Sequence, residues 1–420
     1  MLKVYYIAGR IQMESLDENM ATFNFTINDN IPEHLILKIL SKLPVKSLKR
    51  FQCVRKSWNT LLDDPSFIKM YYENLMPKSE NFDSCILLKQ EIPDTKQHNI
   101  FLLSGKRYED KTKLDLPPPI QDKNEGFQVL GSSVNGTICL SPYGEIVSGN
   151  VVFWNPTTDE FKDIPLDPLM INGYDVTFSC IGFGYDTLRD DYILIRTGDY
   201  VSKGESVDEE QSYLPSNCDP CSIFEIYYPN GHCRRVISPD GYPEFHPYSE
   251  TEFGIYLNGI CHWRWLLSDH PYGDESAYKP YTFFDTLFSL DVGNNKLITT
   301  LICEDGDDDD IYRQLVVLSD RYLATISMES KTKCIDISIL GEVGVNESWV
   351  KLFTIGPLSS IENVMGIGIH GDILLRKNDD ELVSFDLGTQ EIQDIGIKAL
   401  GRSQTIIYEK KFQPIERKTN

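Results

Sequence analysis

The chain has 420 residues, of which 41% are hydrophobic, and a formal net charge of −23 at pH 7. That hydrophobic content suffices for a packed core and excludes a chain that is disordered throughout. The acidic excess argues against a nucleic-acid-binding protein, because phosphate neutralisation needs clustered lysine and arginine. No apolar run approaches the ~18 residues that would span a bilayer, so we expect no membrane partner.

The N-terminus and the cysteines indicate a reducing compartment. The segment from Met1 to Arg10 has only a short apolar stretch and makes a poor signal peptide. The ten cysteines are scattered, and without a secretory signal we interpret them as free thiols. We therefore expect a cytoplasmic or nuclear protein, with residues 1–28 as a poorly ordered extension.

Residues 29–76 have the pattern of a small helical domain. Apolar residues recur at helical spacing from Leu35 to Leu43. Pro32 suits the first helical position, and Pro44 ends this helix and can open the next. The region is barely large enough to bury a core alone, so we expect a partner to cover an exposed apolar face.

Further helical stretches are predicted over residues 45–54 and around residues 58–62. Asp64 followed by Pro65 then predicts an N-cap and a first helical position for another helix.

Charge is distributed unevenly along the chain. Residues 31–72 contain eight lysines and arginines and three acids, a net charge of +5, which leaves −28 on the rest. A basic module on an acidic protein suggests an acidic protein partner. The alternative is that these lysines are the solvated face of amphipathic helices, and charge alone does not separate the two.

From about residue 83 the pattern changes to strands and turns. Asn-Gly pairs flanked by alternating apolar residues, as at Asn135-Gly136, predict tight hairpins. A unit made of strand, polar turn and strand recurs at intervals of about 50–70 residues. This unit covers residues 151–161, 224–233, 288–297, 335–353 and 383–392.

Each unit is preceded by a second strand pair, and four strands at this period are typical of a β-propeller. A sixth unit combines strands near residues 84–89 and 100–103 with 405–410, so that the first and last strands share a blade and seal the ring. We therefore predict a multidomain α plus all-β chain, in which a kelch-like propeller of about six irregular blades covers residues 83–412. A β-sandwich is the alternative.

Two groups of residues resemble metal sites. Cys218 and Cys221 with His232 suggest zinc, yet structural zinc usually needs two such ligand pairs. The acidic run Glu304–Asp310 lacks the spaced ligands of a calcium loop and is interpreted as solvated. We predict no metal and no cofactor.

Two further groups resemble catalytic sites. Cys261 and His262 are adjacent, and neighbours on a strand point to opposite faces, so we interpret them as core residues rather than a nucleophilic pair. Gly182 and Gly184 lack the third glycine and the following helix of a phosphate loop. We predict no catalytic residues.

Residues 43–67 read LPVKSLKRFQCVRKSWNTLLDDPSF, with IPE at 31–33 before them. This segment closely resembles an F-box of the plant type. The matching positions are Leu43, Pro44, Leu48, Arg50, Phe51, Cys53, Val54, Lys56, Ser57, Trp58, Leu61, Pro65 and Phe67.

The strand region is similar to the F-box-associated interaction domain of the same plant family, which includes the S-locus F-box proteins. The resemblance is carried by FWNPTT at 153–158, GFGYD at 182–186, YLNGICHW at 256–263, ESWVK at 347–351 and ELVSFDL at 381–387. Two features depart from the family pattern, namely the long segment before the F-box and the acidic run at 304–310.

The resemblance implies the substrate-recognition subunit of an SCF (Skp1–cullin–F-box) E3 ubiquitin ligase. The F-box would bind a Skp1-type adaptor, and through it cullin and RING subunits, while the second domain would hold a target protein for ubiquitination. The chain itself would be non-catalytic. The expected adaptor-binding residues are Pro32, Leu35, Ile39, Leu43, Pro44, Leu48, Val54 and Trp58.

Trp58 is the main candidate for an interface anchor, because interfaces draw their energy from a few buried aromatic and apolar residues. Its alternative role is a core tryptophan of the F-box. The charge of −28 outside the helical region suggests a basic target, a property that S-ribonucleases share with many other proteins. The alternative function is a propeller module that binds a glycan or small molecule, with the helical segment as a scaffold contact.

Overall fold

The computed structural model divides between Asn74 and Leu75 into two compact units, a helical unit and a strand-rich unit. The described residues are 33–52, 54, 58, 64–75, 84–93, 95, 97–121, 126–142, 150–166, 169–171, 174–201, 223–229, 233–236, 254–268, 283–303, 311–319 and 321–415. The predicted extension over 1–28, Pro32 and the acidic run Glu304–Asp310 lie outside these residues. The finer domain bounds proposed from the sequence stay predictions.

The helical unit contains helices α1 (Glu33–Leu40), α2 (Val45–Gln52) and α3 (Pro65–Leu75). The carbonyl oxygen of Pro44 accepts a hydrogen bond from the Leu48 amide at 3.0 Å, so Pro44 opens α2. The Oδ1 atom of Asp64 accepts a hydrogen bond from the Ser66 amide at 2.8 Å, which is the bond expected of an N-cap. Proline and aspartate therefore set these helix boundaries.

Side chains from all three helices form the core of this unit. Leu40 of α1 and Leu48 of α2 are buried with Phe67, Ile68 and Tyr71 of α3. The amide nitrogen Nδ2 of Asn74 donates a hydrogen bond of 2.9 Å to Ser41 Oγ, which ties the end of α3 to the end of α1.

The second unit is built of strands. In chain order the first are β1 (Ser84–Ile92), β2 (Gln97–Ser104), β3 (Asp110–Leu114), a short helix α4 (Pro118–Gln121), β4 (Phe127–Val134), β5 (Thr137–Pro142), β6 (Asn150–Asn155), β7 (Glu160–Pro165), β8 (Leu169–Ile171), β9 (Tyr174–Asp186), β10 (Asp191–Val201), β11 (Ile223–Tyr227) and β12 (Cys233–Val236). The others are β13 (Ile255–Leu257), β14 (Ile260–Ser268), β15 (Phe283–Asp291), β16 (Lys296–Cys303), β17 (Ile311–Leu318), β18 (Tyr322–Glu329), β19 (Ile335–Leu340), β20 (Trp349–Ile355), β21 (Ile361–Ile367), β22 (Ile373–Lys377), β23 (Glu381–Phe385), β24 (Ile392–Lys398) and β25 (Gln404–Glu409).

Within the described residues these strands form six antiparallel sheets, the blades of a propeller. Blade 1 has the strand order β25-β1-β2-β3, blade 2 β4 to β7, blade 3 β8 to β12, blade 4 β13 to β16, blade 5 β17 to β20 and blade 6 β21 to β24. The strands β25, β4, β9, β13, β17 and β21 of successive blades lie beside one another in a closed circle. The predicted propeller is confirmed, and the β-sandwich alternative is wrong.

The first and last strands close the ring as predicted. Strand β25 pairs with β1 from Ser84 opposite Glu409 to Lys89 opposite Gln404. Blade 3 differs from the four-strand prediction, because the short strand β8 pairs with the first residues of the long strand β9.

Apolar clusters bury the faces of the blades against their neighbours. Along β1, Cys85 and Leu87 belong to a cluster shared with blade 2, whereas Ile86 and Leu88 belong to one shared with blade 6. Alternate side chains therefore enter different interfaces, and the strand reads as a continuous apolar run. Similar clusters join blades 2 and 3, blades 3 and 4, and blades 4 and 5.

A recurring turn explains the repeat seen in the sequence. In blades 2, 4 and 6 the turn after the third strand begins at Asn155, Asp291 or Asp386. The side-chain oxygen of each accepts a hydrogen bond from a backbone amide two or three residues later. Four residues after each of these stands a residue with positive φ, at 59°, 54° and 61° in turn. Short polar side chains favour both roles, which accounts for the polar composition of these turns.

The two ends of the propeller differ. One end, the turn end, carries tight connections such as Asn135-Gly136, whose φ angles of 52° and 79° fit a type I′ hairpin. The opposite end, the long-connection end, is where residues 143–149, 202–222, 237–253, 269–282 and 304–310 join the strands.

Two glycines of β9 let blades 3 and 4 approach closely. A Cβ atom at Gly182 would lie 2.5 Å from Cys261 Sγ, and one at Gly184 would lie 2.5 Å from the ring of Tyr256. The amide of Gly254 also donates a hydrogen bond of 2.5 Å to the Ile181 carbonyl. This pair of glycines thus has a packing role between blades.

We expect Gly182→Ala to lower the thermal midpoint of the propeller, with a loss of about 1–3 kcal/mol, because the new methyl group has no space beside Cys261. Gly293→Ala is the matched control, because its Cβ would meet its nearest atom at 3.5 Å, an ordinary contact. Calorimetry of both variants measures the difference, and equal midpoints would show that the blades separate at no cost.

Candidate functional site

The helical unit presents an apolar surface that its own core does not cover. Of the predicted adaptor-binding residues, Pro44 and Val54 are exposed, Val54 by 57%. Leu35, Ile39, Leu43 and Trp58 are half-buried. Leu48 is 1% exposed, so it belongs to the core and can support this surface only from behind.

Trp58 combines the two roles considered for it. Its ring meets the ring of Phe51 edge-on, with 5.9 Å between centroids and an interplanar angle of 66°. Because Trp58 is only half-buried, one part of the indole packs on the unit and another part remains available to a partner.

The helical unit also carries exposed cations. Lys38, Lys42, Arg50 and Lys69 are exposed on the same unit. An apolar centre with a charged rim is the usual anatomy of a protein–protein interface, and the positive charge favours encounter with an acidic partner.

The propeller contains charged side chains inside its blades. Lys89 of β1 is fully buried, and its Nζ atom donates a hydrogen bond of 3.1 Å to the Arg402 carbonyl. It lies 5.5 Å from the centroid of the Phe127 ring. Burial lowers the pKa of Lys89 to about 8, with Glu91 opposing this shift and Arg402 adding to it.

A buried ion pair stabilises blade 3. Arg196 and Glu225 are 2% and 0% exposed, and the Arg196 Nη2 atom lies 2.8 Å from Glu225 Oε2. The guanidinium also stacks over Tyr227 at 4.4 Å from the ring centroid. The pair places a cation and a carboxylate in contact inside the blade.

The adjacent pair Cys261 and His262 has the properties of core residues. Burial raises the pKa of the Cys261 thiol to about 12 and lowers the pKa of His262 to about 4. The His262 ring nitrogen Nδ1 is 2.8 Å from Ser289 Oγ, whereas Cys261 belongs to the apolar cluster between blades 3 and 4. A thiolate nucleophile with a basic histidine is therefore not supported at this position.

Among the described residues, no group of three histidine, cysteine or acidic side chains is placed to hold a metal ion. Cys218, Cys221 and His232, the zinc candidates, lie outside the part of the chain that the structure describes. None of the described helices is long and apolar enough to cross a bilayer.

Sequence reasoning missed the charged residues buried inside blades. Lys89 stands in the run CILLKQ, and Arg264 stands between Trp263 and Trp265. A cation within a run of buried strand residues is itself a signal, because such a side chain needs a partner or a shifted pKa.

Comparison with known families agrees with these two units. Residues 133–416 match the family described as F-box associated beta propeller domain. Residues 28–73 match the family described as F-box-like.

Two relatives from Arabidopsis thaliana are named as F-box proteins. Putative F-box protein At3g16210 is 30% identical over 167 residues, which is 39% of this chain and 40% of that relative. F-box protein At4g22390 is 24% identical over 393 residues, 87% of this chain and 86% of the relative. The solved structure of an oligogalacturonate lyase in complex with manganese is 10% identical, and the match covers 73% of this chain and 77% of the lyase chain. Its TM-score is 0.36, too low to support an argument about activity.

We expect Lys89→Met to raise the stability of the propeller at pH 7 by about 1–2 kcal/mol. Burial of the amine lowers the pKa of Lys89 to about 8, so the charged form destabilises the folded chain at pH 7. Between pH 8 and 10.5 the unfolded chain keeps a proton that the folded chain has released. Wild-type stability therefore rises with pH through this window, and the advantage of the variant shrinks. Thermal unfolding at several pH values measures the stability difference between Lys89→Met and the wild type. Lys113→Met, at an exposed lysine, is the control. A Lys89→Met variant that is less stable than the wild type at every pH would contradict the prediction.

Proposed function

The chain belongs to the F-box associated beta propeller family, and from this premise we propose that it is the substrate-recognition subunit of an SCF E3 ubiquitin ligase. In this proposal the helical unit binds a Skp1-type adaptor, which links it to cullin and RING subunits in the cytoplasm or nucleus. The propeller holds a target protein. The chain would act by bringing the target to the ubiquitin carrier, which raises the effective concentration of the two reactants.

The observation that carries the proposal is the surface of the helical unit. Pro44 and Val54 are exposed and Leu43 and Trp58 are half-buried, and the same unit carries exposed cations. Truncation of a few central residues of such a surface usually costs more than 2 kcal/mol of binding energy each, whereas rim residues cost little. An acidic adaptor with an apolar groove fits both features.

The target is expected at the long-connection end of the propeller. The longest connections of the chain join strands at this end, among them those over 202–222, 237–253 and 269–282, while the turn end carries tight turns such as Asn135-Gly136. Loops that a rigid scaffold holds in place are the usual carriers of recognition.

Val54→Asp tests the adaptor interface, because the side chain is 57% exposed and its change should leave the fold intact. We expect binding to a purified plant Skp1-type adaptor to weaken by at least about tenfold, since a carboxylate would lie in an apolar contact. Isothermal titration of the full chain with the adaptor measures this. A triple variant, Leu43→Ala with Pro44→Ala and Trp58→Ala, should abolish binding while circular dichroism remains that of the wild type.

The matched control is Leu188→Asp, which places the same charge at an 80% exposed leucine of the propeller. Its adaptor affinity should equal that of the wild type. No binding by a folded wild-type chain would overturn the proposal and leave the propeller as a free-standing binding module.

A further inference from the structure

Two arginines from neighbouring blades converge on one buried carboxylate. Asp285 of β15 is 0% exposed, and its Oδ1 atom lies 2.6 Å from the Nε atom of Arg264 on β14. Its Oδ2 atom accepts a hydrogen bond from the Nη1 atom of Arg313 on β17. Arg313 Nη1 also lies 3.2 Å from Cys303 Sγ, and Arg313 Nε donates a hydrogen bond of 2.9 Å to Ser327 Oγ.

This cluster carries a surplus positive charge. One carboxylate faces two guanidinium groups, and within the described parts of blades 4 and 5 neither arginine has a second acidic partner. The side chains keep only 18% and 13% of their surface exposed. Removing a cation from water is costly unless a counter-charge compensates it, so among the described side chains the cluster is short of one anion.

The outer nitrogen of each arginine is available. Arg264 uses Nε and Nη1, the latter in a 3.2 Å hydrogen bond to the Arg313 carbonyl, and Arg313 uses Nε and Nη1. The Nη2 groups make no hydrogen bond to the described residues, and neither is a buried atom. Two such donors from separate guanidinium groups suit the oxygens of a carboxylate or phosphate.

The cluster lies at the long-connection end of the propeller. Arg313 is the third residue of β17, Asp285 is the third residue of β15, and Cys303 is the last residue of β16. Each of these positions adjoins one of the long connections. The surplus charge is therefore placed where the proposed function expects a target.

The buried ion pair of blade 3 provides the contrast. Arg196 pairs with Glu225 and stacks on the face of Tyr227, at 2% exposure. This pair lies inside the blade, where solvent does not reach it. Arg264 and Arg313 differ in their exposure and their position at the end of the strands.

We propose that Arg264 and Arg313 form a binding site for an oxyanion, a carboxylate or phosphate group that the target protein presents to the propeller. The assignment to a target rests on the proposed function, whereas the oxyanion chemistry rests on the cluster alone.

The test uses the full chain and inorganic phosphate as the probe, with ionic strength held constant by sodium chloride. At tenfold excess over its dissociation constant, phosphate should favour the folded state by a factor of about eleven and raise the thermal midpoint of the propeller. Arg313→Gln should lose this shift. Lys351→Gln, which removes an exposed lysine paired with Asp336 on blade 5, should keep it. An equal shift in all three proteins would reveal a general salt effect and overturn the proposal.

Asp285→Asn keeps the test decisive if Arg313→Gln fails to fold. Removal of the carboxylate leaves two arginines without a counter-ion, so phosphate should raise the midpoint of this variant more than that of the wild type. A role limited to holding the two blades together predicts a lower midpoint that phosphate does not restore, and that result would overturn the proposal.

Short acetylated peptides identify the source of the anion. Binding of a peptide with a central glutamate, but not of its glutamine counterpart, supports recognition of a target side chain. Binding of inorganic phosphate, but of neither the glutamate peptide nor a phosphoserine peptide of the same sequence, would overturn the assignment to a target. Arg313→Gln should bind the adaptor with the same affinity as the wild type. A failure of the ligase proposal is therefore detected by a different measurement, the binding of the wild-type chain to the adaptor.

Discussion

The closed ring is the constraint on which the propeller depends. The blades pack face to face, and alternate side chains of one strand, such as Leu87 and Leu88 of β1, enter two different interfaces. A single blade removed from the ring would expose both apolar faces, so stability belongs to the assembled circle. The pairing of β25 with β1 is therefore essential, because it joins the last and first strands of the propeller in one hydrogen-bonded blade and so closes the ring.

Close packing between blades fixes where variation can occur. Gly182 and Gly184 allow β9 to approach Cys261 and Tyr256, and Asn155, Asp291 and Asp386 cap the same turn in three blades. These requirements occupy the strands and the turn end. Loops that leave the strands beyond their last paired residues, as at the long-connection end, can carry recognition without disturbing the ring.

The sequence was sufficient to predict the ring but not the buried charges. Strand–turn–strand repeats and the terminal strands near residues 84–89 and 405–410 led to six blades, because burial pattern and turn chemistry are local properties of the chain. The sequence does not tell which of the predicted adaptor-binding residues are buried and which are exposed. Leu48 and Val54 are both apolar residues at helical spacing, and only tertiary packing buries the first and exposes the second. The cluster of Arg264, Asp285 and Arg313 was missed because its members are far apart in sequence and meet only across two blades.

Two electrostatic features of the chain act over different distances. The net charge of −28 outside the helical region attracts basic proteins over roughly one Debye length, about 8 Å at physiological ionic strength. The surplus charge at Arg264 and Arg313 acts only on a group in contact with the guanidinium nitrogens. A basic protein that carries an accessible carboxylate or phosphate satisfies both. An acidic protein is repelled before contact, and a basic protein without such a group is attracted to the surface but finds no partner for the arginine pair. Long-range charge and local charge of opposite sign thus select a narrower set of targets than either would alone.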